Sequence, residues 1–427
     1  MVLGYAPRMP RPPIGFACLL FACGAESDDS RAKTATRPVS PQPDDTGAMG
    51  DAHDGAAGDD HTGTPGDTDA VGDWPELPEL DAQLQQIMAD AYIPGMSACI
   101  ISDGAVVWCG AYGWANIEAG IPVETHTPFM LASVSKLFTA TALMMAYDEG
   151  SFELDDPVAP VLDFPFAHPT DDTPITYRQL LSHAGGVRDN WDILNAYYAD
   201  GDSPVPLRDF LADYYDPAGA NYSERQNWVQ SGVQTEMVYA NMGYALIGHL
   251  VTRVTGQPFP DYCRSQIFEP LGMGQTAWFI GELDAATVAM PYGWRSGDYA
   301  AVGHYGYPDY PDGALRTGAE QLARFLAMSM RRGHIDGQTI LESETFDEMV
   351  HPQYPALDAT QGLGWYTWSL DGESLWGHGG SDVGVATQVA IRWSDSLGFV
   401  VLRNSGDDGW GTWQDLSRAL LDAGEAL

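Results

Sequence analysis

The chain has 427 residues, of which 44% are hydrophobic, including 13 Trp, 20 Tyr and 14 Phe, so a large aromatic-rich core is within reach. Its formal net charge of −39 excludes nucleic-acid binding and electrostatic docking on anionic lipid, both of which need basic patches. Five cysteines occur without a CxxC pair or a Cys/His cluster at zinc spacing, so neither a metal nor any other cofactor is expected.

At the start, Arg8 and Arg11 precede the short apolar run from Ile14 to Ala22, which ends at Cys23. That is the layout of an export signal, too short to span a membrane. Leu20-Phe-Ala-Cys23 resembles a bacterial lipobox, so residues 1–23 are expected to direct export and Cys23 to be lipidated. The protein is then expected in the bacterial cell envelope, touching the membrane only through that anchor. Residues 24–73 contain no Phe, Trp or Tyr, and hold twelve acidic against three basic residues. They read as an acidic, solvated linker running to about residue 74. No stretch of it has the ligand spacing of a calcium hand.

One folded domain is expected over 75–427. Pro78–Tyr92 repeats Leu80, Leu84, Ile87 and Met88 at helical spacing. Ser97–Ile101 and Ala105–Cys109 read as a hairpin about Asp103-Gly104. A two-residue loop pairs position 99 with 108, which sends the sulfurs of Cys99 and Cys109 to opposite faces, so both are expected as buried thiols. After Thr127-Pro128 comes a helix containing Ser133 and Lys136, ended by Gly150 and apolar almost all round. Residues 151–305 read as short helices and long loops. Further helices are expected at Tyr244–Thr255, Tyr262–Phe268, Ala319–Arg331 and Trp410–Ala423, and strands at Val385–Trp393 and Phe399–Leu402. Strands at both ends with helices between predict a mixed α/β (α+β) fold. It has one antiparallel sheet built from the two chain ends, flanked by helices, with a mainly helical lobe inserted at about 151–305.

The chain holds two lysines, Lys33 in the linker and Lys136 three residues after Ser133. Elsewhere positive charge is carried by arginine. A guanidinium stays protonated, whereas a buried amine can lose its proton and act as a base. Residues three apart share a helix face, so Lys136 can reach the Ser133 hydroxyl. Taken alone, a Ser-x-x-Lys is a weak signal. Two further patterns follow it in order. Tyr239-Ala-Asn241 offers a phenol able to shuttle protons and an amide able to hold a substrate. His378-Gly379-Gly380 opens a strand on which a substrate can lie flat, with His378 supplying a positive or donor group.

Ser133-x-x-Lys136, Tyr239-x-Asn241 and His378-Gly-Gly380 together resemble the serine β-lactamase and penicillin-binding-protein superfamily. The likeness is greatest to the branch of class C β-lactamases, DD-carboxypeptidases, D-aminopeptidases and esterases. It extends from about Leu80 to Leu421 and includes Leu180-Leu-Ser-His-Ala-Gly-Gly-Val187, Glu269-Pro-Leu-Gly-Met273 and Gly362-Leu-Gly-Trp365. The resemblance implies a serine hydrolase acting on an ester or amide through an acyl-enzyme. Ser133 would be the nucleophile, Lys136 and Tyr239 the acid/base pair, and Asn241 would hold the acyl side. His378, Gly379 and Gly380 would shape the substrate strand, and the N–H groups of Ser133 and Ser381 would form the oxyanion hole. His-Gly-Gly in place of Lys-Thr-Gly argues against antibiotic hydrolysis. Nineteen residues, Ala220–Val238, separate Pro217-Ala-Gly219 from the Tyr-x-Asn pair, and this insertion with Tyr222 and Trp228 is expected at the cleft. The alternative is a surface protein that binds penicillin or cell-wall peptides with little or no turnover. An α/β-hydrolase is excluded because Gly380-Ser-Asp-Val-Gly384 lacks the Gly-x-Ser-x-Gly spacing.

Overall fold

The computed structural model describes residues 74–406 and 409–427. The apolar run, Cys23 and the acidic linker lie outside the described residues. Helix α1 (Pro78–Asp90) leads into β1 (Gly95–Ser102), β2 (Ala105–Asn116) and the short β3 (Ile121–Pro122). Helix α2 (Ser135–Asp148) follows. The intervening segment contains α3 (Tyr177–Leu181) and α4 (Asn241–Thr255). Helix α5 (Ala319–Met330) precedes β4 (Tyr366–Leu370), β5 (Glu373–Asp382), β6 (Val385–Arg392) and β7 (Leu397–Arg403), and α6 (Gly409–Gly424) closes the chain.

The seven strands form one sheet in the order β4-β5-β6-β7-β1-β2-β3, antiparallel at every junction. The two chain ends meet where β1 pairs with β7, with Cys99 opposite Val400. Alternation along these strands divides the core into two layers. Met96, Ala98 and Ile100 of β1 and Phe399 and Val401 of β7 face Leu80, Leu84 and Met88 of α1 and Leu416 and Leu420 of α6. Cys99, Ile101, Val400 and Leu402 face the other way, into the core that contains Leu137 and Phe138 of α2 and Leu322, Phe325 and Leu326 of α5. Each Leu, Ile, Val, Phe or Met among them contributes about 1.5–3 kcal/mol on burial. The expected antiparallel sheet from both termini, with helices on its faces and mainly short helices between, is the observed arrangement.

The hairpin departs from expectation in one residue. Ser102 pairs with Ala105 across Asp103-Gly104, whose φ angles of 51° and 71° are those of a tight two-residue turn. Beyond it, Ile101 pairs with Val106 but Ile100 pairs with Trp108, so Val107 is a bulge. The extra residue shifts the register by one and sets Cys99 opposite Cys109 on the same face. The two are joined as a disulfide. The expectation of two buried thiols was wrong because a single bulged residue reverses side-chain parity. Cys263 is a buried free thiol.

The insertion also departs from expectation. Trp228 does not line a cleft: it is fully buried against Phe166, His168 and Tyr215. Tyr222 packs against the main core.

Candidate active site

Helix α2 does not begin at Ser133. Residues Ala132–Val134 form a tight 3-10 turn, and the α-helix starts at Ser135. Ala132 has φ +46°, a left-handed conformation costing about 1–3 kcal/mol for a residue with a Cβ. That turn leaves Ser133 part-exposed while both its neighbours are buried. Lys136, on the first turn of α2, is fully buried and reaches back so that its Nζ lies 3.1 Å from Ser133 Oγ.

The other two partners of Lys136 decide its chemistry. Nζ donates to Asn241 Oδ1 at 2.7 Å and to the Asp312 carbonyl oxygen at 2.8 Å. Both are acceptors only. A neutral amine has two N–H groups and one lone pair. With the N–H groups spent on Asn241 and Asp312, the lone pair faces the Ser133 hydroxyl. Burial pulls the Lys136 pKa down, while the carboxylates of Asp312, Asp189, Asp309 and Asp382 push the other way, and burial prevails. Nζ lies 4.0 Å from Asp312 Oδ2, at the edge of ion-pair range, and burial pushes the pKa of that carboxyl well above its usual value.

Tyr239 reaches the same point from the segment before α4, with its ring centre 4.9 Å from Lys136 Nζ. The His183 ring lies 4.4 Å from that of Tyr239, centre to centre. Its Nδ1 accepts the Ala240 N–H at 3.2 Å, and burial holds the imidazole neutral, far below its usual pKa. His183 thus supports Tyr239 from beneath. In the sequence its only trace is the Leu180–Val187 phrase, and its φ of +58° is seen only in the fold.

Strand β5 forms the opposite wall. It outruns β4, whose last pairing is Tyr366 with Gly377, so 379–382 have an open edge. The Tyr366 hydroxyl accepts the Gly379 N–H at 3.0 Å on that side, and strand alternation turns the Ser381 N–H the same way. Gly380 is there because nothing larger fits. A Cβ on it would lie 2.3 Å from the Leu131 carbonyl oxygen, 2.4 Å from Thr387 Oγ1 and 3.0 Å from the Ser133 nitrogen. His378 is buried, and burial with nearby Lys136 lowers its pKa to about 3. Its Nδ1–H is committed to the Gly379 carbonyl oxygen at 2.7 Å. The expected positive group at this position is therefore an uncharged imidazole, with Nε2 left as an acceptor.

Ser133, Lys136, Tyr239, Asn241, His378, Gly379, Gly380 and Ser381 are thus assembled in one place from three segments. Cys23 lies outside the described residues. Arg316 is shut away from this site, donating to the carbonyl oxygens of Tyr305 at 2.5 Å and Ala314 at 2.9 Å. Sequence reasoning gave Asp189 and Asp312 no role, because neither lies in one of the three motifs.

A family model described as beta-lactamase matches residues 80–420. The chain belongs to the β-lactamase family. Among curated members, penicillin-binding protein 4 of Amycolatopsis lactamdurans is 27% identical over 75% of this chain and 83% of its own length. A beta-lactamase of Pseudomonas fluorescens is 26% identical over 67% and 73%. Among solved structures, the octameric penicillin-binding protein homologue from Pyrococcus abyssi superposes with a TM-score of 0.64 at 26% identity, covering 81% of this chain and 77% of that one. The D-amino acid amidase of Ochrobactrum anthropi, at 21% identity and TM-score 0.63 over 81% and 99%, shares the fold. In this family member the first and second motifs meet through Lys136, and the third motif is uncharged.

Proposed function

We propose that the protein is a serine hydrolase that cleaves esters or amides through a covalent acyl-enzyme. The observation that supports this most directly is the Lys136 amine, 3.1 Å from Ser133 Oγ with both its other partners acceptors only. In this reading Ser133 Oγ bonds to the substrate carbonyl carbon as its proton passes to Lys136. The carbonyl oxygen becomes an oxyanion held by the N–H groups of Ser133 and Ser381. Collapse breaks the bond to the leaving group, which takes a proton relayed through Lys136 and Tyr239. Water then adds to the acyl carbon, gives its proton to the same pair, and releases the acid and free Ser133.

The favoured substrates carry no carboxylate next to the scissile bond. An uncharged His378 supplies no cation to hold one, and the acidic groups of Asp189, Asp309, Asp312 and Asp382 around Lys136, each pushed towards its neutral form by burial, supply none either. Small esters and D-amino-acid amides fit this field better than penicillins. The test is a panel of p-nitrophenyl esters, D-amino-acid amides, D-Ala-D-Ala peptides and nitrocefin, with fluorophosphonate labelling of wild type and Ser133→Ala. Labelling confined to Ser133, with ester or amide turnover well above nitrocefin turnover, is expected. Fast nitrocefin hydrolysis would overturn the substrate assignment. Stable penicillin labelling without turnover would favour a binding role instead.

We further propose that the chain is exported and lipid-anchored through Cys23. The Cys99–Cys109 disulfide supports export, since such bonds persist in oxidising compartments. Loss of membrane association in a Cys23→Ala variant is the corresponding check.

A further inference from the structure

Asp189 belongs to none of the three motifs, yet it makes two hydrogen bonds to Asn241 of the second. Its Oδ2 accepts the Asn241 backbone N–H at 3.0 Å and the Asn241 side-chain Nδ2–H at 2.9 Å. Its Oδ1 accepts the Met242 N–H at 3.0 Å. Asp189 therefore caps the first turn of α4 from outside the helix, although it lies 52 residues earlier in the chain. All three hydrogen bonds are accepted ones, which suits an ionised carboxylate. Burial raises the carboxyl pKa, and these N–H groups together with Lys136 oppose that rise.

The Asn241 amide has two ends that are nearly identical in shape and opposite in hydrogen bonding. The carboxylate can only accept, so it takes Nδ2 and leaves Oδ1 facing Lys136 at 2.7 Å. The reversed amide would offer Nδ2–H to Lys136. A neutral amine would accept that bond with its lone pair and turn an N–H towards Ser133. The base would be lost with no change in the positions of heavy atoms.

We propose that Asp189 is a positioning residue: it holds the Asn241 amide in the one orientation that leaves the Lys136 lone pair for Ser133. This rests on the assignment of Ser133 and Lys136 given above. The 220–238 insertion gives Asp189 its rigidity. The Asn227 carbonyl oxygen accepts the Arg188 N–H at 2.9 Å, and Asn227 Oδ1 accepts from Asn190 Nδ2 at 3.0 Å. Val187 is bridged to the buried Trp228. Asn227 is itself fully buried and donates to the Tyr214 and Asn221 carbonyl oxygens, both at 2.9 Å. Both chain neighbours of Asp189 are thus clamped by the insertion, which braces the site from behind.

The test is a double-mutant cycle in ester hydrolysis with Asp189→Leu, Asn241→Ala and the pair, alongside Ser133→Ala. Asp189→Leu keeps the branched shape and removes both acceptors, so nothing holds Asn241 Nδ2 away from Lys136 and the amide is free to turn over. It is expected to lower kcat by about 10²-fold, the low end for a lost general base, with KM within about threefold. In the Asn241→Ala background there is no amide to misorient, and the same change is expected to cost less than about threefold. Losses that multiply, or an Asp189→Leu variant with wild-type kcat, would overturn the proposal. A merely structural role would depress Tm and leave the two losses multiplicative. Activity surviving in Ser133→Ala would instead reject the nucleophile assignment, so the two failures are distinguishable.

Discussion

Lys136 Nζ stands closer to Asn241 Oδ1, at 2.7 Å, than to Ser133 Oγ, at 3.1 Å. The amine is held by groups that can only accept from it, and its remaining valence is presented to the serine. An arginine at 136 would have donors alone and no accessible neutral form. Lys136→Arg and Lys136→Ala are therefore both expected to lower the acylation rate by about 10²–10⁴-fold, as read by ester burst kinetics. An arginine variant with wild-type bursts would remove the amine from the mechanism.

In the proposed mechanism Lys136 works as the neutral amine, so kcat/KM should rise with pH through its folded pKa. Burial lowers that pKa, and negative charge at Asp309, itself pushed up to about 7 by burial, raises it. Replacing Asp309 by Asn removes a charge that favours the ammonium. The rising limb should move to lower pH, by less than about one unit. A pH–rate profile that moves to higher pH would contradict this sign.

Gly380 and Gly379 are adjacent but not equivalent. A methyl on Gly380 meets the Leu131 carbonyl oxygen at 2.3 Å, whereas one on Gly379 meets nothing nearer than the Tyr366 hydroxyl at 3.3 Å. Gly380→Ala should push β5 off the Ser133 turn. A loss of roughly 10²-fold in kcat is expected, with about 1–3 kcal/mol of stability. Gly379→Ala should be the milder change in both measurements, and equal effects would refute the packing account.

The neutral burial of His378 has a stability consequence. In the unfolded chain it titrates near 6.5, in the folded one at about 3. Below pH 6.5 the unfolded state binds a proton that the folded state refuses, so this residue destabilises the fold by about 1.4 kcal/mol per pH unit down to about pH 3. His378→Gln lacks that term. The Tm gap between wild type and variant should shift in favour of the variant as pH falls from 7 to 5, and a constant gap would show that His378 is not held neutral.

The Cys99–Cys109 bond closes a ten-residue separation, for which chain entropy gives about 2–3 kcal/mol. Non-reducing peptide mapping should recover the crosslinked pair. The Cys99→Ser, Cys109→Ser double variant should lose stability of that order in urea titration. Recovery of both cysteines as thiols from unreduced protein would rule the bond out.

What the sequence determined was the parts and their order. The helical spacing of Leu80, Leu84 and Met88, the Asp103-Gly104 turn and the alternating strands at both ends are local patterns, and local patterns follow from backbone periodicity. Ser133 and Lys136 were legible for the same reason, since three residues along a chain suffice to bring them together. Tertiary structure decided what depends on distant neighbours. The charge of His378 follows from its burial, which no residue beside it in the chain reports. The parity of Cys109 turned on one bulged residue, and strand parity changes sign with every residue inserted. Asp312 meets Lys136 from 176 positions further along the chain, and Asp189 meets Asn241 from 52 positions before it, and only folding brings such groups into hydrogen-bonding range.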